Sequence, residues 1–177
     1  MVKISKIETY SLLIPDFDSD ACSSAQDNFV VKIYADNGLY GIGETDTNPW
    51  GVKAIIDSPG THAMGRGFAD ILIGKDPRNV EGLWHELNEK TMMTSRRGLG
   101  ICAIGAIDMA LWDLCGKIYQ QPVWKLLGGS KKKYIIPYAS LLPEGHTLNE
   151  YSESLVNKTI KSKKLGFKAA KLEICIK

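Results

Sequence analysis

Apolar residues at Ile104, Ile107, Leu111, Leu114 and Ile118 follow one another at spacings of three and four. That is the stripe with which a helix buries one face, and it predicts a core helix as the centre of the run from Ala103 to Gly128. Ala103, Gly105, Ala106 and Ala110 leave the backbone bare enough for another element to pack close, while Asp113 and Lys117 form an i,i+4 pair on a wetter side. Pro122 restarts a short helix at its first turn, and Gly128-Gly129 ends it.

Upstream, residues 2 to 12 are rich in Ile, Thr, Val and Tyr and predict a strand. Residues 28 to 44 predict a hairpin. Phe29, Val31, Ile33 and Ala35 alternate with other residues, Asn37-Gly38 supplies the positive-φ pair of a tight turn, and Leu39, Tyr40 and Ile42 return. The polar stretch Pro15 to Asp27 between them predicts a loop. Asn48-Pro49 opens a helix with Val52, Ile55 and Ile56 buried, and Ser58-Pro59-Gly60 stops it. After a looser stretch, Asp76-Pro77 starts another helix, with Asp76 as N-cap and Val80, Leu83, Trp84 and Leu87 as its stripe. Three strands and then a run of helices indicate an α+β domain, a three-stranded antiparallel sheet plus a helical bundle, over residues 1–130.

Beyond Lys133 the pattern changes. Tyr134 to Ser140 is strand-like, Thr147-x-x-Glu150 is a capping box, Tyr151, Leu155 and Ile160 mark a helix that breaks at Gly166, and Phe167 to Ile176 is a second strand. This βαβ order belongs to a parallel sheet. In the last strand Ala170, Leu172, Ile174 and Ile176 alternate with Lys171, Glu173 and Cys175, so one face is apolar and the other carries two opposite charges. Such a pair is either a solvated surface contact or a pair of inward charges that must associate or work.

The bulk numbers narrow the class of partner. A chain of 177 residues with 44% hydrophobic and 24% charged residues reads as globular, and a net charge of +2 argues against a nucleic-acid or membrane partner. Lys131-Lys132-Lys133, and Lys161 with Lys163-Lys164, read as solvated faces, because no aromatic stacking platform accompanies them. Cys22, Cys102, Cys115 and Cys175 show no Cys-x-x-Cys spacing. They read as free thiols of a cytoplasmic protein, consistent with an N-terminus that lacks the apolar core of a signal peptide. His62, His85 and His146 share no ligand spacing and receive no role.

The ordered combination of small residues, Asp108, Asp113, Gly116-Lys117, Pro122 and the closing Leu-Leu-Gly128 resembles the mandelate racemase and muconate-lactonizing group of the enolase superfamily. The resemblance implies that residues 1–130 form a capping domain and that residues 131–177 begin a (β/α)8 TIM barrel of which the first β-α-β is present, the barrel being truncated. It also implies a reaction. Members remove the proton next to a carboxylate and stabilise the resulting ene-diolate with Mg²⁺. Metal ligands in the family end the third to fifth barrel strands, so none is assigned here.

By resemblance, Lys171-Leu-Glu173 falls where members carry Lys-x-Lys. Lys171 matches the first lysine and inherits an electrostatic or acid/base role, whereas Glu173 departs from the pattern and either acts as a base or holds Lys171 charged. Two capping-domain loops select substrate in the family; by position they are Pro15 to Asp27 and Thr45 to Trp50. Asp46, Asn48 and Trp50 are candidate contacts to a polyol acid, with a helix cap the other reading for Asn48 and packing the other for Trp50. Ser140 either faces the substrate carboxylate or begins a turn, and Arg96 and Arg97 either bind an anion or form salt bridges. The expected activity is that of an acid-sugar dehydratase acting on a small-molecule carboxylate as a homo-oligomer at full length. The alternatives are racemisation, epimerisation or cycloisomerisation in the same superfamily, or a noncatalytic binding or assembly module.

Overall fold

Strand β2 (Asp27–Ala35) holds Phe29, Val31, Ile33 and Ala35 on one face, all buried, as their alternation requires. It lies between β1 (Ile4–Leu13) and β3 (Tyr40–Thr45) in an antiparallel sheet. This computed structural model describes residues 2–19, 26–129 and 132–174. The chain divides into two compact units, residues 1–129 and 130–177. Cys22, Lys131, Cys175 and Ile176 lie outside the described residues, as does the middle of the loop predicted between β1 and β2.

The hairpin between β2 and β3 closes differently from the expected two-residue turn. Of its pair only Gly38 has positive φ (86°). Asp36, Asn37 and Gly38 form a three-residue loop in which Gly38 N–H donates to the Ala35 carbonyl (3.1 Å) and Ala35 N–H to the Leu39 carbonyl (2.8 Å). The Asn37 side chain accepts from Leu39 N–H (3.1 Å), so its contribution is a side-chain turn and not left-handed backbone.

Five helices or helical turns lead to and include the core helix: α1 (Pro49–Asp57), α2 (Phe68–Leu72), α3 (Val80–Lys90), α4 (Met92–Ser95) and α5 (Leu99–Tyr119), with a last turn, α6 (Val123–Leu126), after Pro122. The two short ones, α2 and α4, have no counterpart in the periodicity, although α2 buries Phe68, Ile71 and Leu72. Asp76 is not a helix cap. Its carboxylate is taken up by Arg78, from Nη2 at 2.6 Å, Nε at 2.9 Å and the backbone N–H at 3.0 Å, and α3 begins after Asn79.

Helix α5 buries Ile104, Ile107, Leu111 and Leu114 against the sheet, with Ile118 half-buried. Its fit on β3 is tight because β3 turns glycines inward. A Cβ on Gly43 would lie 1.9 Å from the Ala106 carbonyl oxygen, and one on Gly41 2.0 Å from that of Ala110. Gly105, by contrast, has open space around its missing Cβ, so Ala106 and Ala110 make the close approach without it.

Both edges of this sheet are covered by an i,i+4 acid–lysine pair. Asp113 on α5 accepts from the Ile42 N–H (2.8 Å), and Lys117 donates to the Tyr40 carbonyl (2.7 Å). Across the sheet, Lys53 on α1 donates to the Thr9 hydroxyl (2.6 Å), which donates to Asp57 (2.7 Å). Unpaired strand edges invite association, and at β3 the Asp113–Lys117 pair takes up an edge N–H and an edge carbonyl.

The second unit comprises β4 (Ala139–Leu141), α7 (Leu148–Lys164) and β5 (Ala170–Leu172), the strands pairing in parallel. Thr147 and Glu150 form the expected capping box. Both strands are shorter than their apolar runs: residues 134–138 and 167–169 lie outside β4 and β5, although the Ala169 carbonyl accepts from Ala139 N–H (3.0 Å). Among the described residues of this unit each strand has a single neighbour, with Ala139, Ser140 and Leu141 in register with Ala170, Lys171 and Leu172.

Candidate functional site

The register of the parallel pair sets Ser140 opposite Lys171. Glu173 follows β5 and continues the ladder, its N–H donating to the Leu141 carbonyl (2.9 Å). Alternation then places Lys171 and Glu173 on the face that carries Ser140. Lys171 Nζ lies 2.6 Å from Glu173 Oε1, and the Ser140 hydroxyl donates to the same oxygen at 3.3 Å. The three residues proposed from sequence in this unit therefore form one cluster.

The cluster is solvent-facing, and its ionisation follows from the pair. The hydrogen bond from Lys171, then its charge, hold the Glu173 carboxyl below its ordinary range, with Ser140 adding a smaller hydrogen bond. Glu173 in turn raises Lys171, first through the hydrogen bond and then through its charge, and Tyr138 adds a smaller contribution. Tyr138 was not singled out in the sequence; its signal was the two-residue spacing from Ser140 in the strand-like run Tyr134 to Ser140.

In the first unit, Leu13 pairs with Asp27 and Phe29 with Thr45, so the stretch after β1 and the stretch after β3 leave the same end of the sheet. The base of the first is pinned by Gln26, whose amide accepts from Asp18 N–H (2.6 Å) and donates to the Asp18 carbonyl (2.8 Å). In the second, Asn48 caps α1, its side-chain oxygen accepting from Gly51 N–H at 2.9 Å. That leaves the Asn48 NH₂ as a donor. Trp50 is 55% exposed, and Asp46 is exposed beside them. Arg96 and Arg97 are exposed between α4 and α5.

Among the described residues no three His, Cys, Asp or Glu side chains converge, so these residues do not compose a Mg²⁺ site. What the arrangement offers in the second unit is a lysine paired with a carboxylate, with a hydroxyl beside it. The first unit offers donor, acceptor and aromatic groups where the stretch after β3 enters the first turn of α1.

The N-terminal domain profile of the mandelate racemase / muconate lactonizing enzyme family matches residues 15–128. The chain is 34% identical over 144 residues to a D-galactonate dehydratase family member of Marinomonas sp. (strain MWYL1), covering 81% of this chain and 32% of that protein. It is 35% identical over 148 residues to the D-mannonate dehydratase of Sphingomonas sp. (strain SKA58), covering 82% and 33%. The crystal structure of the 3,6-anhydro-D-galactonate cycloisomerase from Zobellia galactanivorans matches with a TM-score of 0.75 at 37% identity, over 97% of this chain and 43% of that one. The chain thus spans about a third of the length of these curated relatives, 32% and 33%.

Proposed function

The chain belongs to the mandelate racemase / muconate lactonizing enzyme family of the enolase superfamily, and on that premise we propose that it is part of a sugar-acid dehydratase acting on an aldonate. The observation that carries the substrate class is the relationship to a D-galactonate dehydratase family member and a D-mannonate dehydratase at 34% and 35% identity. The reaction removes the proton on the carbon beside the carboxylate and expels the neighbouring hydroxyl as water. The enol left behind tautomerises to a 2-keto-3-deoxy acid.

In this reading Lys171 is a cation and not a base. The carboxylate 2.6 Å away favours the ammonium form, which suits Lys171 to binding a carboxylate and offsetting the negative charge that builds on it. Glu173 keeps Lys171 charged and orients it. Ser140 supplies a hydroxyl beside the ammonium. The Asn48 NH₂ and the Asp46 carboxylate contact substrate hydroxyls, and the Trp50 ring gives an apolar wall. Mg²⁺, in the family's chemistry, stabilises the ene-diolate; its ligands and the general base are not among the residues described.

A second reading has its own support, the match at 37% identity to an anhydrogalactonate cycloisomerase. The test is to incubate the natural gene product with a panel of aldonates and anhydro-aldonates in D₂O. Dehydration predicts a keto-deoxy acid from at least one aldonate and its loss in Lys171→Met. Ring opening without loss of water establishes the cycloisomerase, and neither proton exchange nor product with any acid overturns both.

A further inference from the structure

The loop from Ser58 to Gly67, between α1 and α2, is tied to itself. Thr61 N–H donates to the Gly65 carbonyl (2.9 Å) and Gly65 N–H to the His62 carbonyl (3.0 Å). Its two ends meet: a Cβ on Gly67 would lie 2.0 Å from the Ser58 carbonyl oxygen. Compact surface loops with their ends together often carry function. Between this loop, the end of α1 and the helical turn α4 lies a cleft of about 350 Å³, within the size range of small-molecule sites.

The chemistry of its walls is one-sided. The Ser58 hydroxyl donates to the Ala54 carbonyl, and the Thr94 hydroxyl to the Thr91 carbonyl (3.3 Å). The Thr61 hydroxyl has the Gly65 carbonyl at 3.2 Å and His62 Nδ1 at 3.0 Å. Each of these hydroxyl protons is taken up within the protein, so what each oxygen has left is lone pairs. Ser95, 2% exposed, sets its hydroxyl 3.3 Å from that of Thr94. Gly100 fixes its place, since a Cβ there would lie 2.2 Å from the Ser95 Cα. The cation of the cleft is already matched: Arg66 gives Nε to the Asp70 carboxylate (2.6 Å) and Nη2 to the Asp70 carbonyl (2.9 Å). Its Nη1 remains as a donor. Ile55 and Pro59 supply an apolar wall.

We propose that this cleft binds a neutral polyol, a monosaccharide or sugar alcohol. Phosphate and carboxylate bring lone pairs in place of protons, so a row of acceptors disfavours them, and a guanidinium already paired with Asp70 offsets little of that. A sugar hydroxyl brings both a proton for a Ser or Thr oxygen and a lone pair for Arg66 Nη1, while the C–H face of the sugar lies on Ile55 and Pro59. The walls are held before the ligand arrives, which lowers the ordering cost of binding. The site uses none of the residues assigned to the reaction and is independent of the dehydratase reading.

Titration of the ¹⁵N-labelled whole chain with D-galactose, D-mannitol and inorganic phosphate, followed by NMR, tests it. At least one of the two polyols should give saturable shifts at the amides of Thr61, Arg66, Thr94 and Ser95, with a dissociation constant on the order of 1 mM, and phosphate should give none there. Thr94→Val, at an exposed position, and Thr61→Val should each weaken binding about fivefold through one lost hydrogen bond. Thr94→Ser, which keeps the oxygen, should bind as the wild type does. Circular dichroism melting of each variant checks that the fold is kept. The absence of a saturable shift with either polyol overturns the proposal, as do shifts gathered on other residues. So does phosphate binding at these amides as tightly as the polyols, or polyol affinity that neither valine variant changes.

Discussion

The two units use the same apolar alternation and end in opposite conditions. In the first, Phe29, Val31 and Ile33 are 0% exposed beneath α5, while in the second Leu172 is 48% and Ile174 77% exposed. The difference lies in what is packed against each strand. In the first unit a long helix reaches the sheet backbone, because Gly41 and Gly43 face Ala110 and Ala106. In the second, a parallel pair that ordinarily needs cover on both faces has, within its own unit, α7 alone. An alternating pattern states which residues favour burial, and only a partner surface buries them.

The sharpest way to break that contrast is to spoil the close approach in the first unit. Gly43→Val would place side-chain carbons where the Ala106 carbonyl oxygen already stands, 1.9 Å from the Cβ position. Pushing α5 off β3 should cost about 3 kcal/mol or more. Urea unfolding followed by circular dichroism measures it, and a midpoint equal to that of the wild type would show that the helix sits farther from the strand than described.

A paired truncation comes next. Leu111→Ala, in the buried stripe, should cost about 2–5 kcal/mol through lost burial and the cavity left behind. Leu172→Ala, on the uncovered strand, should stay within about 0.5 kcal/mol. Equal losses in the same denaturation experiment would mean that Leu172 is covered in solution, and the contrast between the units would fall.

The smallest effect is electrostatic. The hydrogen bond from the Arg78 side chain, with help from its backbone N–H, holds the Asp76 carboxyl at about 2. That lies below the ordinary aspartate value of about 3.9, so the folded state is favoured above about pH 4 and the advantage fades as pH falls towards about 2. Thermal melts across that window should show a steeper loss for the wild type than for Asp76→Asn. Parallel slopes would mean that the ion pair contributes nothing to folding in solution.

The core helix and the hairpin were legible because their periodicity reflects backbone geometry alone: Ile104, Ile107, Leu111 and Leu114 are buried at the spacing that predicted a helix. The Thr147–Glu150 box was legible for the same reason, since all its partners lie within one turn. Asp76 misled because two nearby donors competed for it. The helix-cap reading looked forward along the backbone, whereas the nearest cation, on Arg78, satisfied the carboxylate first. The short helices α2 and α4 escaped because a turn of four or five residues carries too little period to register. In the candidate site, Lys171 and Glu173 were legible as neighbours on one strand face, but the Ser140 contact crosses from β4 and depends on the register. Tyr138 was missed for the same reason.

By itself, the order of residues determined the antiparallel sheet, the apolar stripe of α5, the capping box of α7, the resemblance to the superfamily and the charged face of β5. These depend on neighbours a few positions apart, where the geometry of a helix or strand decides which side chains meet. Only the tertiary structure decided that Asp113 and Lys117 occupy the edge of β3, that glycines face α5, that Glu8 accepts from Tyr34 on the neighbouring strand, and that Ser140 joins the Lys171–Glu173 pair. The reason is physical: each contact joins segments whose relative register is set by packing over the whole sheet.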